Sequence, residues 1–313
     1  MHINRFLRHH PCLNHRLFAH SIVPAIAILC LLTSIALAPT ARADASWPAE
    51  LGLPRSSDRD IRLIENDGFV IGYDAARGRA AWVAYRLTAV VDYVNRPRPP
   101  FIDDPRINTV TDTHIYAGPA YDRGHLAPNY AMSQLYGEKA QRQSFYYSNV
   151  VPQRPRLNQL LWQRLEEVEI DDVAPAHSPL WVLVGPIAAD NERSTDPWGE
   201  QDKASRTPAA FFRIWVARDD HGRWQAMAFV VPQAVRGDEP LDEFVVAIAT
   251  IEARTGLELF PALAATARAR MESSPAPRSR FGLQALACNP ARYAARWRDR
   301  GPIRLNFDRC EAH

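Results

Sequence analysis

The chain has 313 residues, 37 Lys+Arg against 35 Asp+Glu, and a formal charge of +2. At 47% hydrophobic and 23% charged residues, it is neither disordered, collagen-like nor a multi-span membrane protein. With 25 prolines and 14 glycines it suggests a loop-rich fold instead of a helical bundle, and the near-zero charge hides any nucleic-acid partner.

The first element is an export signal. Arg5, Arg8 and Arg16 precede the apolar run 21–38, which is followed by Ala41-Arg42-Ala43. A basic start, an apolar middle and an A-x-A site predict a secretory signal peptide over residues 1–43, cleaved after Ala43, and a secreted or periplasmic product. A retained anchor is the alternative, since 18 apolar residues could just span a bilayer; Pro24 and the cleavage site argue against it, so no membrane association is expected after cleavage. Removing the segment takes four arginines and no acid, leaving 33 basic and 35 acidic side chains, a charge of −2. It also takes Cys12 and Cys30. Cys288 and Cys310 remain, and in an exported chain they are expected to form a disulfide, with two buried free thiols as the alternative.

Residues 44–66 are polar and read as a lead-in. Strands are expected at Phe69–Tyr73, Trp82–Thr88, Phe145–Asn149, Leu180–Val184, Phe211–Val216 and Met227–Val231, all short, rich in Val, Ile and aromatics, and bounded by Pro, Gly or Asp. Leu157–Val173 reads as a helix through Leu157, Leu161, Leu165 and Val168. Thr250–Thr255 is a shorter helical turn closed by Gly256. Strand runs with few long helices predict an α+β fold around an antiparallel sheet.

From Ala262 onward the composition turns basic, with ten arginines and four acids, a charge of +6 that leaves −8 on residues 44–261. Ser273–Arg280 resembles a linker into a small appendage. The basic extension could contact phosphates or pack as an Arg-rich face on the acidic body.

Familiar nucleophile and cofactor chemistries are missing. There is no H-E-x-x-H, G-x-S-x-G, S-x-x-K, P-loop or dinucleotide fingerprint. What stands out is Asp122-Arg123-Gly124-His125, an acid, a guanidinium and an imidazole within four residues. His can act as a base near neutral pH, and Arg can grip a phosphate in bidentate fashion. Downstream, Asn158 and Glu166 lie eight residues apart on the predicted helix, about 80° around its axis. A neutral amide oxygen with a carboxylate nearby suits Mg²⁺, which keeps most of its waters and takes few protein ligands.

With Trp82–Tyr85, Asp122–His125, Ser148–Gln153, Asn158–Glu166, Gly185-Pro186, Ala210–Ile214 and Ile251–Leu257 in order, the chain resembles the DNA/RNA non-specific endonucleases, the ββα-metal (His-Me finger) family. The resemblance marks 67–261 as the endonuclease domain and 262–313 as an extension. It implies a central antiparallel sheet carrying a ββα-metal motif and Mg²⁺-dependent hydrolysis of DNA and RNA to 5′-phosphate and 3′-hydroxyl ends, with Mn²⁺ as the candidate substitute. His125 would be the general base, Asn158 the direct metal ligand, Glu166 the group that orients the ion's hydration shell, and Arg123 the phosphate holder. Asn149 would fix the site by hydrogen bonds. The family's upstream arginine falls best on Arg98, before Phe101 and Asp104-Pro105, with Arg96 competing. Family members are often homodimers, and no interface is legible here. The alternatives are a catalytically inactive nucleic-acid-binding protein of the envelope and an exported antibacterial nuclease toxin.

Overall fold

The computed structural model describes residues 47–107, 120–188, 207–272, 274–292 and 305–306, all within the unit Arg42–His313. The expected signal segment 1–43 and Cys310 lie outside the described residues; Cys288 is disulfide-bonded. No helix among the described residues is long and apolar enough to cross a membrane.

Eleven strands are described: β1 (Arg55–Ser56), β2 (Ile61–Asn66), β3 (Phe69–Asp74), β4 (Arg79–Leu87), β5 (Asp122–His125), β6 (Val150–Gln153), β7 (Leu180–Ile187), β8 (Ala210–Arg218), β9 (Trp224–Pro232), β10 (Val245–Val246) and β11 (Leu257–Glu258). Seven form the central sheet in the order β10-β9-β8-β7-β4-β3-β2, with every pair antiparallel. The α-helical segments are α1 (Asn129–Ala131), α2 (Gly137–Ser144), α3 (Trp162–Val168), α4 (Ala174–Ala176), α5 (Ile248–Thr255), α6 (Ala265–Glu272) and α7 (Leu283–Leu286).

Both faces of the sheet are covered, which is why its inner strands read as continuous apolar runs and not as alternating ones. The period of two nevertheless sorts the residues. In β8, Phe211 and Trp215 face a core that also holds Leu157, Leu161, Trp162, Leu165 and Val168 of the long helical run. Phe212, Ile214 and Val216 face the other way, onto Ile248 and Ile251 of α5, Phe260 and Met271. Position 213 lies on the first face, between Phe211 and Trp215, so an arginine side chain enters the core beneath the helical run. Gly256 ends α5 with φ 67°, the left-handed conformation that a glycine C-terminus supplies.

Three sequence expectations need correction. Phe145–Asn149 is not a strand: Phe145 ends α2, Tyr146 makes a single bridge to Ile102, residues 147–149 make a 3₁₀ turn, and strand β6 begins at Val150. The aromatic content of that segment serves ring packing around His125 instead. The lead-in is also part of the fold, since Ile61–Asn66 forms the edge strand β2, and Trp47 and Leu51 are buried in the second core. Finally, the helix over 157–173 is not uniform. Leu157–Leu161 and Glu169–Val173 are π-helical turns flanking α3, so the 80° estimate for a regular α-helix does not describe Asn158 and Glu166.

The extension after Ala262 packs directly on the body. Met271 enters the second core, and Phe281, Leu283 and Ala287 enter the first. Buried Arg164 of α3 donates to the carbonyls of Asn289 (2.7 Å), Ala287 (2.6 Å) and Glu239 (2.7 Å), tying the extension to the helix. Several of its arginines meet acids of the body, including Arg268 with Glu258 and Arg278 with Asp242.

Candidate active site

The site is built on a ribbon and a helix. β5 and β6 pair antiparallel, with Asp122 opposite Gln153 and His125 opposite Val150, and the helical run carrying Asn158 and Glu166 follows β6. Gly124 is required at its place in the ribbon. A Cβ there would lie 2.1 Å from Gln153 Oε1, far inside contact distance, so only a residue without a side chain leaves the buried Gln153 side chain in its place.

Asn149 holds the turn that leaves His125. Its backbone oxygen accepts from Leu126 N (3.0 Å), its Oδ1 accepts from Ala127 N (2.9 Å), and its Nδ2 donates to the carbonyls of Ala127 (3.0 Å) and Ser144 (2.8 Å). Asn149 is completely buried and does not line the cleft. It is a positioning residue, and it acts on His125 only through the backbone.

His125 lines a cleft of about 710 Å³ together with Arg98, Asp122, Arg123, Asn158, Gln159 and Glu166. Its ring packs against Phe101 (centroids 5.2 Å apart) and edge-on to Phe145 (4.6 Å). Burial first, and then the nearby positive charge of Arg98, push its pKa down to about 3. The imidazole is therefore neutral at physiological pH, and its buried Nε2 finds no hydrogen-bond partner among the described residues.

Two arginines border this ring cluster. The Arg98 guanidinium lies 5.6 Å from the Phe145 ring centroid and that of Arg123 lies 5.4 Å from Phe101. Arg98 is carried on a segment anchored at both backbone and side chain. Ile102 N donates to Phe145 O (3.2 Å), Tyr147 N donates to Ile102 O (3.0 Å), and buried Asp104 accepts from Ser148 Oγ (2.6 Å). Of the two arginines competing for the upstream position, Arg98 lines the cleft, whereas Arg96 donates to Ser133 O at 2.6 Å on the adjoining helix.

Asn158 is oriented by a residue the sequence reading left without a role. Asp122 Oδ2 accepts from Asn158 Nδ2 (2.9 Å) and from Gln159 Nε2 (2.6 Å). With its nitrogen engaged, Asn158 keeps its carbonyl Oδ1 for a ligand. Among the described residues no group of three or more His, Cys, Asp or Glu side chains is placed to hold a metal ion. The donor set is instead one amide oxygen with the Glu166 carboxylate in the same cleft, which fits a hydrated, oxygen-seeking cation and not a cage of protein ligands.

Glu166 is backed by a buried charge network that was also missed. Arg213 is fully buried and donates to Glu166 Oε1 (3.3 Å) and Glu169 Oε2 (3.0 Å), while its guanidinium lies 4.2 Å from the Trp162 ring centroid. Trp215 Nε1 and Tyr85 OH donate to Glu169 from below. Burial pushes Glu166 up to about 8 despite Arg213, and the Glu169 charge adds to the rise. The signal for Arg213 was an arginine inside the apolar run of β8, where a charge persists only if it is paired.

Comparison with known proteins identifies the family. The model of the DNA/RNA non-specific endonuclease family matches residues 51–266. The mitochondrial nuclease EXOG of Danio rerio is 31% identical over 226 residues, covering 68% of this chain and 64% of its own length, so the match spans less than two thirds of that relative. The mitochondrial endonuclease G of Bos taurus is 28% identical over 229 residues, 70% of this chain and 74% of its own. Nuclease C1 of Cunninghamella echinulata is 27% identical over 213 residues, 64% and 83% of the two chains. The fold is similar to one seen in a crystal structure of the EndoG/EndoGI complex, with a TM-score of 0.55 and 24% identity over 64% of this chain and 86% of that one.

Proposed function

Since the chain belongs to the DNA/RNA non-specific endonuclease family, we propose that it is an exported, Mg²⁺-dependent nuclease that hydrolyses DNA and RNA to 5′-phosphate and 3′-hydroxyl ends. The observation that carries the mechanism is the buried His125 ring, its Nε2 without a partner among the described residues, in one cleft with Arg98, Arg123, Asn158 and Glu166. Export rests on the basic, apolar and A-x-A pattern of residues 1–43.

In this reading His125 accepts the proton of the water that attacks phosphorus, a contribution of about 10²–10⁴ in rate. An imidazole with a pKa near 3 is a weak base, but the phosphodiester anion offsets the Arg98 charge that helps hold it there, so substrate binding itself raises basicity. Arg123 and Arg98 hold non-bridging phosphate oxygens and stabilise the charge that develops on them. Asn158 Oδ1 would hold the divalent cation and Glu166 its hydration shell, and bound there the ion would supply charge neutralisation at the phosphate and the leaving 3′ oxygen. Every one of these contacts is to phosphate, water or the ion, so base sequence is not read.

The test is digestion of plasmid and RNA by wild type and His125→Ala, with Mg²⁺, with Mn²⁺ and with EDTA. Wild type is expected to degrade both substrates only with metal. The variant is expected to lose cleavage while still binding nucleic acid. Near wild-type digestion by His125→Ala would place the base elsewhere.

A further inference from the structure

The family match ends at residue 266, yet one residue of the extension lines the candidate active-site cleft: Arg292. The Arg292 guanidinium lies 5.3 Å from the ring centroid of Tyr130, which sits on the wall formed by α1. On the helical run 157–173, Arg292 pairs with Asp171, and its backbone N–H donates to Glu167 Oε2 at 3.0 Å. Arg292 therefore links α1 to that run, and the Arg164 hydrogen bonds to Ala287 and Asn289 fix the chain just before it.

Beside it stands a pair of aromatic faces. Tyr93 and Tyr130 stack with centroids 6.4 Å apart and planes 27° apart, and both line the same cleft as His125. Tyr93 is 67% exposed, unusual for a large ring with no burial to stabilise its place. Its backbone is nevertheless held, because the neighbouring Val94 exchanges two hydrogen bonds with Gln134, N–H to Oε1 at 2.8 Å and Nε2 to the carbonyl at 2.9 Å.

Resting on the nuclease reading above, we infer that Tyr93, Tyr130 and Arg292 form a subsite for a nucleotide of a single-stranded substrate next to the scissile phosphate. An exposed aromatic face with an adjacent guanidinium is how proteins bind unpaired strands: every base offers a π-face to stack, and the cation tracks the backbone. Duplex bases are already stacked on each other and offer no free face. The Arg292–Asp171 pair is partly exposed to solvent and exchangeable, so the guanidinium can turn to a phosphate while Tyr130 keeps it over the cleft. The extension then adds a substrate contact that the family-matched domain lacks.

The experiment uses the exported form of the whole chain and compares Tyr93→Ala and Arg292→Ala with wild type. A fluorescein-labelled single strand of about 12 nucleotides and its duplex serve as probes, read by cleavage kinetics and by fluorescence anisotropy in EDTA. Tyr93→Ala is expected to raise the single-strand KM and Kd about tenfold and the duplex values far less. Arg292→Ala is expected to raise the single-strand KM more than it lowers kcat, and to reduce the salt slope of log K by about 0.7. Unchanged single-strand Kd in both variants, or equal effects on strand and duplex, overturns the subsite. Because Tyr93 is exposed, its variant decides the matter even if Arg292→Ala fails to fold. A wild type that binds the strand but cleaves nothing would sink the nuclease reading, while the anisotropy still judges the subsite.

Discussion

Asp122 and Asn158 lie 36 residues apart in sequence and meet through one carboxylate oxygen, Asp122 Oδ2, which accepts from Asn158 Nδ2 at 2.9 Å. That bond couples the ribbon carrying His125 to the helix carrying the proposed metal ligand. It also decides which end of the Asn158 amide is left for a cation.

Asp122→Ala should therefore weaken metal use before it weakens chemistry. The expected result is a Mg²⁺ activation curve shifted to roughly tenfold higher concentration, with near-normal activity at saturation, because a supporting contact to a ligand is worth about 10–100-fold in affinity. A curve superimposed on wild type would remove Asp122 from this role.

The depressed His125 pKa has a sign that can be checked. With the folded value near 3, below the ordinary 6.5, the unfolded chain binds the extra proton first as pH falls. The His125 contribution to stability is complete above pH 6.5 and is lost progressively from there toward pH 3. Observed by NMR, the imidazole should stay neutral at pH 5. The acid limb of kcat/KM in the metal-loaded enzyme should likewise fall below 6.5. A His125 that titrates at its ordinary value would contradict the buried, Arg98-flanked environment.

Asn149→Ala removes two side-chain bonds to Ala127 and one to Ser144 and leaves buried backbone groups unpaired. An expected loss of about 2–4 kcal/mol follows from about 1–3 per unsatisfied buried group, with partial relaxation. Urea denaturation should show a lower midpoint, and activity should fall together with the folded fraction.

Arg213→Met removes the buried guanidinium that pairs with both Glu166 and Glu169 and leaves the two glutamates facing each other without it. Breaking such a pair from one side typically costs about 3–5 kcal/mol. Adding Glu169→Gln should recover part of that loss. Equal stability of the single and double variants would show that the network is not coupled.

Much of the site could be read in the sequence because its residues are unusual for their surroundings. Asp122–His125 and Asn158–Glu166 are polar side chains in compact patterns, and the structure brings His125, Arg123, Arg98, Asn158 and Glu166 to one cleft. Asp122 and Gln159 were missed because an acid at a strand start or an amide in a helical run has many ordinary uses, and only the tertiary pairing reveals this one. The sheet strands covered on both faces were evident from their apolar runs. β2 was not, since an edge strand keeps exposed polar side chains and carries little hydrophobic signal. β5 escaped for a related reason: Asp-Arg-Gly-His has almost no β propensity, and its conformation is imposed by pairing with β6.

The close approach of Gly124 to Gln153 makes two distant positions a single unit of change. A side chain introduced at 124 would have nowhere to go until Gln153 is shortened, and shortening Gln153 alone would open a hole in the ribbon beneath His125. Attempts to retune this enzyme by saturating the Asp122–His125 motif one residue at a time would find position 124 closed. A paired library at 124 and 153 would search the same space with the lock removed.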